Sequence, residues 1–146
     1  MEWQVDGMVP VYTKLYKSTV TFNEALGYAY DALVHAASFD AMGAWKALSE
    51  RVKQGIYMGE GLLLPHTRIS GLPQPLMAFA VCPAGFSGIE IRNNEKAQFL
   101  CVLLSPMESA TAHTQVIAGM AKRLLDPEWK KKALAVMCDE DVKLLF

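Results

Sequence analysis

The chain has 146 residues, of which 52% are hydrophobic and 20% charged, so it can bury one sizeable core. Its formal net charge of −1 provides no general attraction for nucleic acid or for an anionic lipid surface. No apolar run reaches the roughly 18 residues that a membrane span needs. We therefore expect a single domain over residues 1–146 that neither binds nucleic acid nor is embedded in a membrane.

Compartment and metal content are indicated by the start of the chain and by its cysteines. The first ten residues, MEWQVDGMVP, lack the basic and then apolar layout of a secretory signal, so a cytoplasmic protein is expected. Cys82, Cys101 and Cys138 are far apart and two lie in apolar runs, so we expect all three to be reduced and buried. Neither a Cys-x-x-Cys pair nor a His-Glu-x-x-His element occurs, so no metal site and no cofactor are predicted.

The chain begins with a short extended segment and a helix. Residues 9–13 (VPVYT) predict a strand or extended lead-in, and its proline favours the edge of a sheet. Thr21 and Glu24 fit a capping box, and the apolar spacing that follows predicts a helix to about Ala37. His35 lies beside the apolar face of that helix, and we interpret it as structural.

A second helix is predicted from Asp40, its N-cap, to Gly55, which closes it. The apolar positions of this helix, which recur about once per turn, are Met42, Trp45, Leu48 and Val52. Arg51 lies at its end, a short connection away from the next strand. It either pairs with a phosphate through two parallel N–H bonds or is an exposed arginine that interacts with the helix dipole.

The segment GEGLLLPHTR is the most informative stretch of the chain. Leu62–Leu64 read as a short buried strand, which Pro65 ends by removing a ladder donor. His66 is then left at the end of the strand, beside open space, where it can react. Thr67 and Arg68 add a hydroxyl and a permanent cation, both useful to an anion. In the alternative reading the imidazole only caps a loop.

Further strands are predicted between residues 76 and 104, after a loop rich in glycine and proline. They cover residues 76–82, 88–92 and 98–104, with turns at residues 83–85 and 93–94 and a stop at Ser105-Pro106. The short links between them imply antiparallel pairs. Buried strands mixed with amphipathic helices predict an α/β fold, in which helices flank a central mixed sheet as an α/β/α sandwich.

A third amphipathic helix is predicted to begin at Ser109 or Thr111. Its apolar stripe is Val116, Ile117, Met120, Ala121, Leu124 and Leu125. His113 lies in the first turn on the inward side, where a helix N-terminus favours anions and keeps an imidazole neutral. The alternative is a histidine that packs at the helix entry with its nitrogens satisfied.

The chain is predicted to end in two more helices. Asp126 caps the first, which runs to about Cys138, and Asp139 caps the second. The final Leu144-Leu145-Phe146 is expected to dock on the core.

Three stretches carry a resemblance to a known family. GEGLLLPHTR, ALSERV and AHTQVIAGMAKRLLDPEWKKKALAVMCDEDVKLL resemble segments of the IIA component of the mannitol/fructose branch of the bacterial sugar phosphotransferase system. That family, of the type-2 IIA fold, includes the nitrogen-related regulatory IIA proteins. The similarity covers most of the chain from about Thr21 onward.

The resemblance implies a function for each of these stretches. It places the phosphoryl-accepting histidine on His66, a second active-site histidine on His113 and a phosphate-facing arginine on Arg51. The donor would be the phosphohistidine of an HPr-like carrier protein, and the acceptor usually a cysteine of a IIB-type component. Neutral imidazole is a competent nucleophile near pH 7, because its unperturbed pKa is about 6.5. Magnesium is not required, since no nucleotide leaving group has to be neutralised.

The partner surface is expected to be an apolar patch around His66 with charges at its rim. The candidates for phosphoryl or partner contacts are Thr67, Arg68 and Glu60. Arg68 either touches the phosphoryl group or sits at the rim. The apolar candidates, for which ordinary core filling is an equal alternative, are Met58, Leu72 and Met107.

Three functions fit this pattern. The leading one is a phosphocarrier for sugar transport. The second is a regulatory protein whose phosphorylation state at His66 controls the binding of a target protein, with no sugar delivered. The third is a scaffold that has lost phosphoryl transfer, against which the presence of both His66 and His113 argues. A homodimer is compatible with the resemblance, although the sequence identifies no dimer patch.

Overall fold

The structure is a computed structural model that describes residues 9–146; residues 1–8, which hold most of the start considered for a signal, lie outside the described part. The strands are β1 (Tyr12–Leu15), β2 (Val20–Thr21), β3 (Leu62–Leu63), β4 (His66–Ile69), β5 (Leu76–Val81), β6 (Phe86–Ser87) and β7 (Phe99–Pro106). The helices are α1 (Phe22–Ala36), α2 (Ala41–Gln54), α3 (Ala110–Leu124), α4 (Pro127–Leu134) and α5 (Asp139–Lys143).

A mixed sheet forms the centre of the fold, as predicted. Its strands follow the order β1, β5, β7, and both β3 and β4 pair with the outer side of β7. β5 and β7 are antiparallel, with Leu76 opposite Leu104 and Val81 opposite Phe99. β1 is parallel to β5, and β3 and β4 are parallel to β7. The expected antiparallel pairing within residues 76–104 is therefore confirmed.

Helices cover both faces of this sheet. Side chains along β5 alternate between the two layers, as the pleat of a strand requires. Ala78 and Ala80 join the core cluster that α1 and α2 cover. Met77, Phe79 and Val81 join the cluster that α3, α4 and α5 cover. The predicted α/β/α sandwich is confirmed, and it explains why every residue of β5 and β7 is buried.

The helices begin at caps that the sequence predicts. In each case the side-chain oxygen of the cap accepts a hydrogen bond from a backbone N–H of the first turn. The pairs are Glu24 N–H to Thr21 (3.1 Å), Gly43 N–H to Asp40 (3.1 Å), Ala112 N–H to Ser109 (3.2 Å) and Glu128 N–H to Asp126 (3.0 Å). Gly55 closes α2 with a φ of 106°, a value that favours glycine.

The strand before His66 ends at Leu63, ahead of Pro65 as predicted, but a new strand begins at His66. After a break at Leu64 and Pro65 the chain resumes as β4, which pairs with β7 so that His66 lies beside Leu103. Proline removes a donor but keeps its carbonyl, and Leu103 N–H donates to the Pro65 carbonyl at 3.0 Å. His66 is thus the first residue of a paired strand, not the last residue before a loop.

The predicted strand at residues 88–92 is absent from the described structure. Pairing is limited to β6, whose Phe86 lies beside Val20 of β2 in a separate two-stranded unit. Gly88 follows with a φ of 75°, which turns the chain out of the extended conformation. The turn predicted at Asn93-Asn94 is present as part of a short 3-10 helix, with positive φ at both residues.

Several element ends differ from the prediction. β1 begins at Tyr12 and lies at an edge of the sheet, and β7 continues through Ser105-Pro106, which pair with Arg68 and Ile69. α4 ends at Leu134, short of Cys138. Asp139 does not cap α5, because its carboxylate accepts a hydrogen bond from Leu15 N–H at 2.8 Å. A contact to β1 has replaced the local cap.

Some positions assigned to buried faces are exposed. On α2 the buried residues are Ala44 and Leu48, whereas Met42 is 86% exposed. On α3, Val116, Met120 and Leu124 are buried but Ala121 is exposed, as is Leu125 directly after the helix. Cys82 and Cys101 are buried as expected, whereas Cys138 is exposed; all three are free thiols. At the C-terminus Leu145 is buried, Phe146 packs on the core and Leu144 is exposed.

Aromatic side chains fill the layer between the sheet and α3 to α5. Phe79 of β5 is fully buried, and its ring centroid lies 6.1 Å from Phe99, 6.3 Å from Trp129 and 5.1 Å from Phe146. Trp129 also donates its ring N–H to the Leu145 carbonyl at 3.0 Å. This cluster ties α4 and the C-terminus to the centre of the sheet.

Phe79→Ala should therefore reduce the free energy of unfolding by about 3–5 kcal/mol, because it removes a fully buried ring and leaves a cavity. Equilibrium unfolding in urea measures the change. Leu144→Ala is the matched control, since that side chain is 79% exposed and its loss should change stability by less than about 0.5 kcal/mol. Equal effects of the two variants would contradict the assigned core.

Candidate functional site

Three parts of the fold meet at an open cavity beside the start of β4. The last turn of α2 supplies Arg51, β4 supplies His66 and Arg68, and the first turn of α3 supplies His113. The cavity has a volume of about 520 Å³ and is lined by Arg51, His66, Thr67, Arg68, Met107, Ala110, His113 and Thr114. The histidines and the arginine that the sequence predicts as catalytic therefore lie together.

Strand pairing sets the positions of these residues. β4 is parallel to β7, with Arg68 beside Ser105. His66 and Arg68 are two residues apart, so they lie on the same face of the strand. The turn between β7 and α3 is fastened to the end of β4, because Met107 N–H donates to the Ile69 carbonyl at 2.8 Å. This contact brings the first turn of α3, with His113, back over β4.

His66 has both ring nitrogens in hydrogen bonds, and their partners define its tautomer. Nδ1 lies 2.7 Å from the carbonyl oxygen of Leu64, and Nε2 lies 2.9 Å from Nη2 of Arg51. The carbonyl can only accept, so Nδ1 carries the proton and donates it. The guanidinium can only donate, so Nε2 presents its lone pair. The unprotonated, nucleophilic nitrogen of His66 is therefore Nε2.

The structure places the guanidinium of Arg51 beside His66. Although it sits in the last turn of α2, its guanidinium reaches His66 and lines the cavity. The short connection from α2 to β3 makes this reach possible. A guanidinium has five N–H donors, so Arg51 keeps further donors for an anion while one of them faces Nε2.

His113 is held by α3 and by β7. Its Nδ1 lies 2.7 Å from Oγ of Ser105, and its ring centroid lies 5.2 Å from that of His66 at an interplanar angle of 40°. Burial lowers the pKa of His113 from its usual value, and the electrostatic effect of the neighbouring His66, Arg68 and Arg51 side chains lowers it further. The imidazole of His113 is thus kept in its neutral form.

The residues predicted to contact the phosphoryl group or a partner protein lie in two separate places. Arg68 is exposed and Thr67 half-buried, and both line the cavity that holds His66. Glu60 is not part of it. Its carboxylate accepts a hydrogen bond from Lys130 Nζ at 3.0 Å and borders a separate apolar recess. That recess is lined by Met58, Gly59, Glu60, Leu62, Leu64, Ile117, Ala121, Leu124 and Leu125.

The three apolar candidates have different surroundings. Leu72 is 3% exposed and belongs to the core that α1 and α2 cover. Met107 is 47% exposed and lines the cavity with His66. Met58 is 51% exposed and lines the apolar recess. Leu72 therefore fills the core, whereas Met58 and Met107 are exposed at the surface.

Two contributors to the site were missed by reading the sequence. Ser105 was taken only as the end of a strand, yet it contacts His113. Its signal was a hydroxyl placed directly after an apolar run, where burial leaves it in need of a hydrogen-bond partner. The Leu64 carbonyl was missed because nothing in a side-chain pattern marks a backbone acceptor. His35, interpreted as structural, lies exposed on α1 with its Nδ1 2.8 Å from the Asp31 carbonyl oxygen.

The cavity combines a nucleophile with fixed positive charge. Arg51 and Arg68 are permanent cations, and no carboxylate belongs to the described residues that line it. In residues 9–146 no group of three or more His, Cys, Asp or Glu side chains is placed to hold a metal ion. The arrangement can receive a small tetrahedral anion in contact with Nε2 of His66.

Fold and cavity together define a class of protein, an α/β/α sandwich that presents a nucleophilic histidine among arginines. Comparison with protein families identifies one family within this class. Residues 12–145 match the family model described as phosphoenolpyruvate-dependent sugar phosphotransferase system, EIIA 2. The chain belongs to this family, as the resemblance in its sequence indicated.

Relatives and solved structures agree with that assignment. A fructose-specific EIIA component of Haloferax volcanii is 24% identical over 131 residues, which cover 88% of this chain and 84% of the relative. Nitrogen regulatory protein IIA-Ntr of Neisseria meningitidis has a TM-score of 0.79 at 19% identity, with 97% of each chain covered. The Escherichia coli mannitol IIA protein is similar in fold in two structures.

The crystal structure of the Escherichia coli mannitol IIA protein has a TM-score of 0.68 at 20% identity, and the similarity covers 90% of this chain and 94% of that protein's chain. The second structure is an NMR structure of the complex with phosphorylated IIB of the mannitol system. It has a TM-score of 0.67 at 19% identity, and the similarity covers 90% of this chain and 92% of that chain.

In this chain no helix of residues 9–146 is long and apolar enough to span a membrane.

We expect the pKa of His113 in the folded protein to lie below the usual histidine value of about 6.5. The unfolded chain then binds more protons at this side chain as the pH falls. The stability contributed by neutral His113 is complete above about pH 6.5 and is lost as the pH falls through the folded-state pKa. NMR titration of the His113 ring protons measures that pKa.

Arg68→Gln should raise the pKa of His113, because it removes one of the positive charges that disfavour imidazolium. Lys131→Gln removes a charge from an exposed position on α4 and serves as the control, with no change expected. A titration midpoint for His113 at or above the usual histidine value would contradict the assigned environment.

Proposed function

We propose that this chain is a histidine phosphocarrier. Nε2 of His66 accepts a phosphoryl group from the phosphohistidine of an HPr-like carrier protein and passes it to a cysteine of a IIB-type partner. The observation that carries the proposal is the pair of hydrogen bonds made by the His66 ring: with Nδ1 donating to the Leu64 carbonyl, the lone pair is left on Nε2, which faces Arg51. Residues 1–146 act as one domain in this proposal.

Each transfer exchanges one bond to phosphorus for another. In the first, the bond from phosphorus to the donor imidazole nitrogen breaks while a bond to His66 Nε2 forms, and the donor nitrogen keeps the electron pair. In the second, a cysteine thiolate attacks phosphorus and Nε2 recovers its lone pair. His66 loses and gains no proton in either step, so the Nδ1 hydrogen bond to Leu64 persists throughout.

The surrounding residues stabilise the transferred group. Transfer between two nitrogens or to sulfur needs in-line positioning and positive charge around the three equatorial oxygens. Arg51 contacts Nε2 in the unphosphorylated protein, so its N–H donors move to the phosphoryl oxygens when Nε2 is occupied. Arg68 and His113 line the other walls of the cavity.

The partner surface extends from the cavity into the apolar recess. Met107 lies exposed at the rim of the cavity, and Met58 and Leu125 lie exposed at the recess. Leu64 joins the two places, because its side chain lines the recess while its carbonyl binds His66. Glu60, paired with Lys130, supplies charge at the edge and orients a partner without touching the phosphoryl group.

A regulatory role is the second candidate. The fold is shared with a nitrogen regulatory IIA protein at a TM-score of 0.79 and with a mannitol IIA protein at 0.68. In a regulatory protein phosphorylation of His66 would change binding to a target protein, because it adds negative charge to a surface now bordered by two arginines. The identity of the acceptor separates the two roles.

His66→Ala should abolish acid-labile phosphorylation by a phosphoenolpyruvate-driven carrier system, because it removes the accepting nitrogen. Intact-protein mass measurement detects the phosphoryl group. His35→Ala is the matched control, since it removes an exposed histidine outside the cavity and should be phosphorylated like the natural protein. Labelling that persists in His66→Ala would refute the proposed acceptor.

His113→Ala should remain folded but transfer the phosphoryl group roughly tenfold or more slowly, since it removes one side chain that stabilises the transferred group. Circular dichroism checks the fold, and quenched-flow labelling measures the rate. The labelled protein is then mixed with IIB domains and with candidate target proteins. Phosphate found on a IIB cysteine supports the transport role, and phosphorylation-dependent binding without transfer supports regulation.

A further inference from the structure

Ser105 stands out because it is the one polar residue that is buried among the described residues. It is 0% exposed, lies in β7 between Leu104 and Pro106, and pairs with Arg68 of β4. Burial of a hydroxyl without a hydrogen bond costs about 1–3 kcal/mol on the scale of protein mutations. The hydroxyl finds its partner in His113, whose Nδ1 lies 2.7 Å from Oγ.

We infer that Ser105 is a positioning residue of the proposed phosphocarrier: its O–H donates to Nδ1 of His113 and holds that imidazole as the Nε2–H tautomer. The inference deepens the proposed function and, where it concerns phosphoryl transfer, rests on it. The tautomer itself is a property of the unphosphorylated protein and is tested separately.

The direction of the hydrogen bond follows from the satisfaction of buried donors. A neutral His113 carries its proton on either Nδ1 or Nε2. If Nδ1–H donated to Ser105, the serine proton would need a second acceptor inside the strand, and no such contact is found among the described residues. An unsatisfied buried donor is costly. If Ser105 donates, its proton is satisfied and the His113 proton moves to Nε2, the nitrogen not bonded to β7.

The groups around His113 make this tautomer useful. His66 and Arg68 of β4 and Arg51 of α2 all face the cavity that His113 lines. His66 presents the lone pair of Nε2, and its ring centroid is 5.2 Å from that of His113. With opposite tautomers, one ring supplies the nucleophile and the other an N–H donor for a phosphoryl oxygen. A His113 with its lone pair on Nε2 would instead repel that oxygen.

The tautomer is measured by long-range proton–nitrogen NMR on the full chain labelled with nitrogen-15, at a pH where His113 is neutral. These spectra distinguish a protonated ring nitrogen from an unprotonated one. We expect His113 to carry its proton on Nε2 and His66 on Nδ1. A His113 proton on Nδ1 in the natural protein would overturn the inference without any variant.

Ser105→Ala should shift His113 toward a mixture of tautomers, since the donor that selects one of them is gone. Ser105→Thr keeps a hydroxyl in a strand position that suits a β-branched residue and should restore the Nε2–H form. Thr111→Ala removes an exposed hydroxyl from the same helix and is the matched control. An unchanged tautomer in a folded Ser105→Ala protein would overturn the inference.

The role in transfer is measured with the same proteins. Ser105→Ala should receive the phosphoryl group from the carrier about tenfold more slowly, the effect of one weakened hydrogen bond in the transition state. Ser105→Thr should recover most of the rate, and Thr111→Ala should keep it. A full rate in Ser105→Ala would overturn the positioning role. Failure of His66→Ala to lose labelling would refute the proposed function but leave the tautomer result standing.

Discussion

The hydrogen bond from Nδ1 of His66 to the carbonyl of Leu64 is the contact on which the proposed phosphoryl transfer depends. A histidine with free rotation and mixed tautomers presents its lone pair in no fixed direction. The backbone acceptor two residues earlier fixes both the ring and its proton. Pro65, which lies between them, has no N–H and interrupts the strand, so the Leu64 carbonyl is available to a side chain. The order Leu-Pro-His is thus a local device for orienting an imidazole.

The sheet places the oriented imidazole of His66 beside the other residues of the site. β7 is buried along its whole length, and it holds β4 on one side through parallel pairing and runs directly into α3 at its end. One rigid strand therefore fixes the distance between His66 and His113. α2 approaches from the other layer and contributes Arg51 from its last turn. The residues of the cavity come from three elements, but each element is anchored in the same core, which limits the motion of one side chain relative to another.

Much of this could be predicted from the sequence, because the signals are local. The caps at Thr21, Asp40, Ser109 and Asp126 depend on contacts within one turn, and the apolar runs at residues 76–82 and 98–104 depend on composition. The proximity of Arg51 to His66 followed from the short connection between α2 and β3. These features need no knowledge of distant partners.

Most of the wrong predictions concern features that are determined by contacts between distant parts of the chain. The strand that begins at His66 was missed, because the donor that Pro65 lacks is visible in the sequence, whereas the hydrogen bond between its carbonyl and Leu103 is not. Aspartate is a common helix cap, but the Asp139 carboxylate accepts a hydrogen bond from the distant Leu15 N–H instead. The error at residues 88–92 is different and local, since Gly88 turns a segment whose alternation is typical of a strand. The contact of Ser105 with His113 joins a strand to the following helix, and a serine in a strand carries no sign of that partner.

The charges of the cavity explain why two histidines and two arginines coexist there. In the proposed transfer a nucleophilic Nε2 requires a neutral His66, so the positive charge that would attract the phosphoryl group has to come from elsewhere. Arg51 and Arg68 provide it permanently, and by the same field they disfavour the protonation of His113. Burial acts in the same direction, and in the inferred arrangement the contact with Ser105 selects which nitrogen of the neutral ring keeps its proton. In the proposed mechanism the cavity thus separates two tasks: guanidinium groups carry the charge, while the imidazoles supply one lone pair and one N–H at fixed positions. A site built on protonated histidines would gain attraction for the anion only by losing its nucleophile.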